Sequence, residues 1–262
     1  MGAASAYISD VTTTPPQHLI SLRRTNALLG LLHAVQGVAV LALGNGFALP
    51  VTGSFMEGPP GSGLGEPRVL FEVSFAVGVA TFLFISALAH WLIASPWYFP
   101  KYGAGLVAGR NPVRWVEYSL SASVMIVLIA MLTGISDVAA LGAIFAANAA
   151  MIFFGLAQER YEKPGGGLLP FWLGSIIGIV PWIVVGVYLV SPGISAEPPG
   201  FVYAIYVSLF ICFNSFAVNM WLQYRQKGKW ADYVYGERVY MGLSLVAKSL
   251  LAWQVFAGTL AP

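Results

Sequence analysis

Charged residues are scarce in this chain. Only 9% of its 262 residues are Asp, Glu, Lys or Arg, 58% are hydrophobic, and the mean hydropathy is +0.75. Soluble globular domains carry about 25% charged residues, so this composition excludes a soluble fold and indicates an integral membrane protein. The net charge of +2 is too small and too dispersed to indicate binding to nucleic acid.

Cysteine and clustered metal ligands are also lacking. The single cysteine, Cys212, lies within an apolar run and cannot form an intrachain disulfide. No group of His, Cys, Asp and Glu has metal-ligand spacing, and the chain has no nucleophile elbow, phosphate-binding loop or metalloprotease helix. We therefore predict no metal site and no enzymatic activity.

Long apolar runs dominate the chain instead. A helix needs about 20 mainly apolar residues to cross a bilayer. We predict an all-α fold, in which residues 1–262 form a single seven-helix transmembrane domain. The predicted spans are roughly 25–43, 69–94, 113–134, 137–158, 168–190, 200–223 and 236–259. Residues 1–22 lack the pattern of a secretory signal peptide and are interpreted as a short cytoplasmic tail.

The positions of the basic residues predict the orientation. Lys and Arg collect on the cytoplasmic side of membrane proteins. Eleven of the thirteen fall on one side of the predicted bundle: Arg23, Arg24, Lys101, Arg110, Arg114, Arg160, Lys163, Arg225, Lys227, Lys229 and Arg238. We therefore predict a cytoplasmic N-terminus and an extracellular C-terminus. The 45–68 connection would lie outside, and its Gly/Pro punctuation predicts a small β-hairpin between the first two spans.

Two ionisable residues lie within apolar spans: Glu117 in the third and Lys248 in the seventh. An isolated charge at mid-helix costs about 2.5–3.5 kcal/mol, so each needs a partner or a purpose. Counted from the flanking arginines, the two differ in depth by about 10 Å, but a long lysine side chain tilts back toward the level of Glu117. Three interpretations remain open: a structural salt bridge, a proton or ion relay, and a lysine used for covalent chemistry.

Other side chains extend this pattern. Polar candidates for the bundle interior are Ser244, Ser121, Ser86, His90, His33 and Gln36. Bulky or apolar candidates are Met151 beside Asn148, Trp172, Trp182, Phe210 and Phe213. Such residues around one lysine describe a slot for a long, flat, apolar molecule with a cationic end.

Several segments resemble the heliorhodopsins, a branch of the microbial rhodopsin superfamily. They include "NPVRWVEYSLSASVMIVLIA" around Glu117, "LLPFWLGSIIGIVPWI", and "SLVAKSLLAWQVFAGTL" around Lys248. The resemblance covers essentially the whole chain. The cytoplasmic N-terminus, inferred above from charge alone, is also what distinguishes heliorhodopsins from other microbial rhodopsins.

The resemblance implies a light-sensing photoreceptor. Lys248 would bind all-trans retinal as a Schiff base, Glu117 would be the counterion, and Ser244 and Ser86 would flank the linkage. His33 and His90 match two histidines of a polar cavity that is associated with proton movements. Positions that match the lining of the retinal pocket are Asn148, Met151, Trp172 and Phe213. The family resemblance also implies a homodimer.

The activity expected from these residues is sensing with a slow photocycle. The third span has no ionisable residue after Tyr118, so a proton has no carboxylate relay toward the outer face, and little or no ion pumping is expected. Output through an unknown cytoplasmic signalling partner is the leading hypothesis. The alternatives are a light-gated or light-driven proton or ion transporter, and a retinal-free membrane protein in which Lys248 and Glu117 form only a salt bridge.

Overall fold

The computed structural model describes residues 17–190 and 198–261. Seven helices in these ranges are long and apolar enough to cross a membrane, which confirms the predicted bundle. The eight α-helices are α1 Gln17–Leu43, α2 Phe75–Ala94, α3 Phe99–Val107, α4 Pro112–Leu132, α5 Val138–Tyr161, α6 Leu169–Leu189, α7 Gly200–Tyr224 and α8 Tyr233–Val255. Of these, α3 has only nine residues and is too short to span.

Neighbours in the bundle are mostly neighbours in sequence. Helix α1 packs against α2 and α8, α2 packs against α4, and α5 lies between α4 and α6, while α7 packs against α8. A π-helical turn, Phe256–Leu260, continues α8. The first and seventh spans, α1 and α8, therefore close the ring, so that inward side chains of α2, α4 and α8 can meet.

The predicted hairpin is present between α1 and α2. Strands β1 Ala48–Gly53 and β2 Arg68–Ser74 pair antiparallel, and their register shifts between Val51 and Thr52. The backbone N–H of Thr52 donates to the carbonyl of Ser136 at 2.8 Å, which ties the hairpin to the α4–α5 connection. This side of the bundle is called the hairpin end, and the opposite side is called the α3 end.

Some predicted boundaries were wrong. Residues 69–74 were assigned to the second span but form β2, because Ser74 caps α2 by accepting a hydrogen bond from Val77 N–H. Helix α1 begins at Gln17, eight residues before the predicted start, and residues 1–16 of the predicted tail lie outside the described residues. Helix α8 begins at Tyr233 because Asp232 caps it through Val234 N–H.

Helix α3 was missed because it lies in the polar connection between two spans. Its buried residues Phe99, Tyr102 and Leu106 recur with helical spacing, and they pack against Leu22 and Ile93. The α3 end is therefore covered by a structured element.

The apolar core fills the bundle toward the hairpin end. Fully buried residues of α2, α4 and α8 form it: Phe75, Val79, Phe82, Leu83, Ile126, Ile129, Leu251 and Val255. Glu117 and Lys248 lie between this core and the α3 end, since Glu117 is in the second turn of α4. The packing thus places the two charges beside an apolar layer.

Candidate functional site

Lys248 and Glu117 meet inside the bundle. The Nζ atom of Lys248 donates a hydrogen bond to Glu117 Oε1 at 2.8 Å, and the two residues are only 3% and 8% exposed. The two side chains therefore meet, although counting from the flanking arginines placed them about 10 Å apart in depth. Pairing at this distance offsets the cost of holding each charge away from water.

Two serines and a tyrosine surround this pair. Ser244 Oγ accepts a hydrogen bond from Lys248 Nζ at 2.8 Å, and Ser86 Oγ donates to Glu117 Oε1 at 2.6 Å. The ring of Tyr118 lies beneath the ammonium, with 4.9 Å from Nζ to the ring centroid. A cation at the Lys248 nitrogen is therefore contacted by a carboxylate, a hydroxyl oxygen and the face of an aromatic ring.

The two histidines lie together on α1 and α2. The rings of His33 and His90 stack with 5.6 Å between centroids and an angle of 10° between their planes. Nδ1 of His90 lies 2.7 Å from Oδ1 of Asn26. A polar pair of side chains able to hold a proton thus lies within the first two helices.

Lys248 also lines a cavity of about 170 Å³ between α4, α5, α6, α7 and α8. Its walls are mainly aromatic and apolar side chains with small residues of α6 between them: Trp115, Tyr118, Met125, Met151, Phe171, Gly174, Gly178, Trp182, Phe213, Phe216, Met220 and Tyr240. An apolar cavity of about 150 Å³ suffices to bind a benzene ring.

The predicted pocket residues do not all reach this cavity. Met151 and Phe213 line it, together with Ser244. Asn148 is fully buried beside it, where its Nδ2 donates to Ser123 Oγ at 3.0 Å. Trp172 lies outside the cavity, with its side chain 54% exposed, and Phe171 lines the wall instead. Consecutive helical residues point about 100° apart, so only one of these two rings can face inward.

The cavity has the chemistry that a retinal group requires. A primary amine, Lys248 Nζ, lies in its wall, a buried carboxylate lies next to that amine, and flat aromatic surfaces form the remaining walls. The amine can form a covalent bond to an aldehyde, and the carboxylate can balance a positive charge at the same nitrogen. These residues therefore fit the group.

Comparison with known protein families agrees with this geometry. The model of the family described as Heliorhodopsin matches residues 22–260. The chain belongs to the heliorhodopsin family. It is thus a retinal-binding, multi-pass membrane photoreceptor rather than a classical enzyme, and the resemblance seen in the sequence is confirmed. No curated protein was found to match the chain.

A second buried charge cluster was missed in the sequence. Arg114 of α4 forms ion pairs with both Glu159 of α5 and Glu237 of α8, and all three residues are at most 5% exposed. Arg114 was counted only as a flanking cation. The sequence does place opposite charges at the α3 ends of neighbouring spans. Because these charges lie on different helices, the periodicity of any one helix does not show that they pair.

Further hydrogen bonds are made to this cluster, which we call the Arg114 cluster (Arg114, Glu159, Glu237). Glu237 Oε1 accepts from Asn111 Nδ2 at 2.7 Å and from the hydroxyl of Tyr102 at 3.1 Å. Burial, and then the negative charge of Glu237, raise the pKa of Tyr102 above its usual value, so this phenol stays protonated and acts as a donor. The cluster joins α3, α4, α5 and α8 at the α3 end.

Proposed function

We propose that this protein is a light sensor in which Lys248 holds all-trans retinal as a Schiff base with Glu117 as its counterion. The observation that carries this proposal is the 2.8 Å contact between Lys248 Nζ and a buried carboxylate in the wall of an apolar, aromatic cavity. Retinal, when bound, supplies absorption of visible light and a light-driven change of shape. The side chains of this protein carry out the other parts of the proposed mechanism: they balance the charge, orient the carboxylate and accept the proton.

The resting charge state follows from the contacts of Lys248. Glu117 is the only carboxylate that pairs with it among the described residues, because α8 carries Ser244, a neutral residue, one turn before the lysine. Glu117 is therefore the only described carboxylate that stabilises the positive charge at the Lys248 nitrogen. Ser86 orients the carboxylate through its hydrogen bond, and Ser244 accepts from the lysine nitrogen.

Substitution of the counterion tests this arrangement. In Glu117→Gln, we expect the visible absorption band formed with all-trans retinal to move to longer wavelength. A nearby negative charge stabilises a cation localised at the nitrogen more than one spread along the chromophore, so its removal lowers the excitation energy. The measurement is the absorption spectrum of membranes in the dark.

The matched control for this substitution is Glu72→Gln, which changes an exposed glutamate on β2. Its spectrum should equal that of the unmodified protein. An unshifted band in Glu117→Gln would show that the carboxylate does not act as the counterion.

His33 and His90 are proposed to hold the proton that leaves the Lys248 nitrogen after excitation. On the hairpin side of the site, α4 has the buried serines Ser121 and Ser123, and from Met125 onward its described buried residues are apolar. The buried residues described on that side of α2 and α8 are also apolar, so this part of the bundle has no buried carboxylate or histidine among the described residues. A pump needs donors and acceptors on both sides of the bilayer. The proton is therefore proposed to return within the protein, which suits a slow photocycle.

Electrical recording separates this sensor from the transport alternative. We expect illumination of a voltage-clamped membrane containing the protein to produce at most a transient charge movement and no stationary photocurrent. The apolar layer formed by Val79, Leu83, Ile126 and Ile129 offers no path for a proton to the hairpin end. A stationary current that vanishes in Lys248→Ala would instead establish a light-driven or light-gated transporter.

The orientation and assembly are further parts of the proposal. The N-terminus is proposed to be cytoplasmic, supported by the eleven basic residues on that side. A homodimer is supported by strand β2, whose residues Val69, Leu70 and Phe71 are exposed at the edge of a two-stranded sheet. The light-induced signal is proposed to pass to an unknown partner at the cytoplasmic face, which would be the α3 end.

A further inference from the structure

Asn26 of α1 is buried beside the histidine pair. It is 1% exposed, and it precedes His33 by seven residues, which places both on one face of α1. Its Nδ2 atom donates to the carbonyl of Leu22 at 2.9 Å, while its Oδ1 atom lies 2.7 Å from His90 Nδ1. Asn26 therefore bridges its own backbone and the second helix.

These two contacts determine which nitrogen of His90 carries hydrogen. A backbone carbonyl can only accept, so the NH₂ group of Asn26 must face Leu22 and the amide oxygen must face His90. An amide oxygen also only accepts, which requires Nδ1 of His90 to be the donor. In the neutral ring, the lone pair then lies on Nε2.

We propose that Asn26 is a positioning residue that holds His90 as the Nδ1–H tautomer, so that His90 Nε2 receives the proton that leaves the Lys248 nitrogen. This inference rests on the proposed role of the histidine pair and assigns the proton to one ring of the two. His33 then serves as a stacking partner of the His90 ring rather than as the base.

Hydrogen bonding favours His90 over His33 as the cation. An imidazolium at His90 keeps its Nδ1–H bond to Asn26, and this bond strengthens when the donor is charged. Both ring nitrogens of His33 are buried without a hydrogen-bond partner among the residues that the structure describes. A cation at His33 would therefore have no hydrogen-bond acceptor from the described protein groups.

The charges that act on His90 favour the same assignment. His90 lies one helical turn after Ser86 on α2, and Ser86 Oγ donates a hydrogen bond to Glu117, so His90 is on the face of α2 that meets this carboxylate. Once the proton has left the lysine nitrogen, Lys248 is neutral and the carboxylate of Glu117 remains negative. This carboxylate then attracts the positive charge at His90.

Nitrogen NMR tests the tautomer in the dark, with or without retinal. The chain has only three histidines, so ¹⁵N-histidine labelling gives few signals, and His33→Phe and His90→Phe assign them. We expect His90 to show a protonated Nδ1 and an unprotonated Nε2. A protonated Nε2 in the unmodified protein would overturn the inference.

Substitutions at Asn26 test the cause of this tautomer. Asn26→Leu should remove the hydrogen-bonded Nδ1 signal, whereas Asn26→Asp, which keeps an acceptor oxygen, should retain it. Thr25→Val is the matched control, because Thr25 also bonds a carbonyl four residues earlier, that of Ser21, and is exposed on α1. An unchanged His90 signal in Asn26→Leu would overturn the positioning role.

Flash photolysis then tests the proton step. We expect Asn26→Leu to shorten about tenfold the lifetime of the state in which the proton has left Lys248 Nζ, because His90 loses its charge-assisted bond. Asn26→Asp should lengthen that lifetime, and Thr25→Val should not change it. A changed tautomer with an unchanged lifetime in Asn26→Leu would overturn the assignment of the proton to His90.

One further comparison separates this inference from the proposed function. Unchanged deprotonation and recovery rates in His33→Phe/His90→Phe would remove both histidines from the proposed proton path, and the proton step of the inference would fail with them. The NMR result for the bond between Asn26 and His90 does not depend on that outcome.

Discussion

Lys248→Ala is expected to abolish the visible absorption band completely when membranes are supplied with all-trans retinal. Lys248 Nζ is the one amine in the wall of the aromatic cavity among the described residues, so no other nucleophile can form the covalent link. The measurement is the difference spectrum before and after retinal is added. A persistent band of unchanged intensity would show that retinal does not attach at Lys248.

This substitution also leaves Glu117 buried without its cation, which destabilises the bundle by about 3–5 kcal/mol if the carboxylate stays charged. A missing band could then reflect misfolding. Lys248→Ala/Glu117→Gln avoids that problem, because it removes both charges. We expect this double variant to fold and to remain colourless, while Lys163→Ala, which changes a lysine in the α5–α6 connection, keeps the full band.

Arg114→Met is expected to lower the free energy of unfolding by about 3–5 kcal/mol, because it strands two buried carboxylates without their cation. Arg114 lies between Glu159 and Glu237, and its guanidinium also stacks on Tyr240 at 4.1 Å from the ring centroid. Loss of the cation therefore affects α4, α5 and α8 together. The measurement is reversible denaturation in mixed micelles.

Two variants give this experiment its controls. Arg110→Met removes an exposed arginine four residues earlier and should change the free energy of unfolding by less than about 0.5 kcal/mol. Arg114→Met/Glu159→Gln/Glu237→Gln should recover most of the loss, since neutral amides cost less to bury than unpaired charges. A triple variant as unstable as the single one would show that packing of the guanidinium, and not charge pairing, stabilises the α3 end.

The two charge clusters differ in their expected roles. Lys248 pairs with Glu117 and lines the cavity that is proposed to hold retinal, whereas the Arg114 cluster makes its ion pairs and hydrogen bonds with protein groups at the helix ends. Trp115 and Tyr240 line the cavity and also lie against Arg114, so they separate the two clusters by aromatic side chains. Substitutions in the Arg114 cluster should therefore act mainly on stability.

Much of the architecture could be predicted from the chain itself. Seven apolar runs of membrane-spanning length require seven helices, because backbone groups in a bilayer must be hydrogen-bonded within the segment. Gly and Pro in the 45–68 connection indicated the hairpin. Lys248 and Glu117 stood out because a charge in an apolar helix is costly, so two such charges indicate a candidate site from the sequence alone.

Other features depended on how the helices pack. Phe171 rather than Trp172 lines the cavity because of how α6 is rotated about its axis. Helix α6 is apolar on all faces, so its sequence does not show which face points inward. Helix α3 lies in a polar connection, and its apolar face becomes evident only against Leu22 and Ile93. Neither feature could be predicted from a pattern in the amino-acid sequence alone.

The sequence by itself determined the membrane class, the number of spans, the hairpin and the two residues at the centre of the site, because each depends on composition or on the cost of a single charge. Only the tertiary structure decided the pairing of Arg114 with Glu159 and Glu237, and the contact of Asn26 with His90. These contacts join residues 45 to 123 positions apart. Such partners are brought together by helix packing, and helix packing is not encoded in any local pattern.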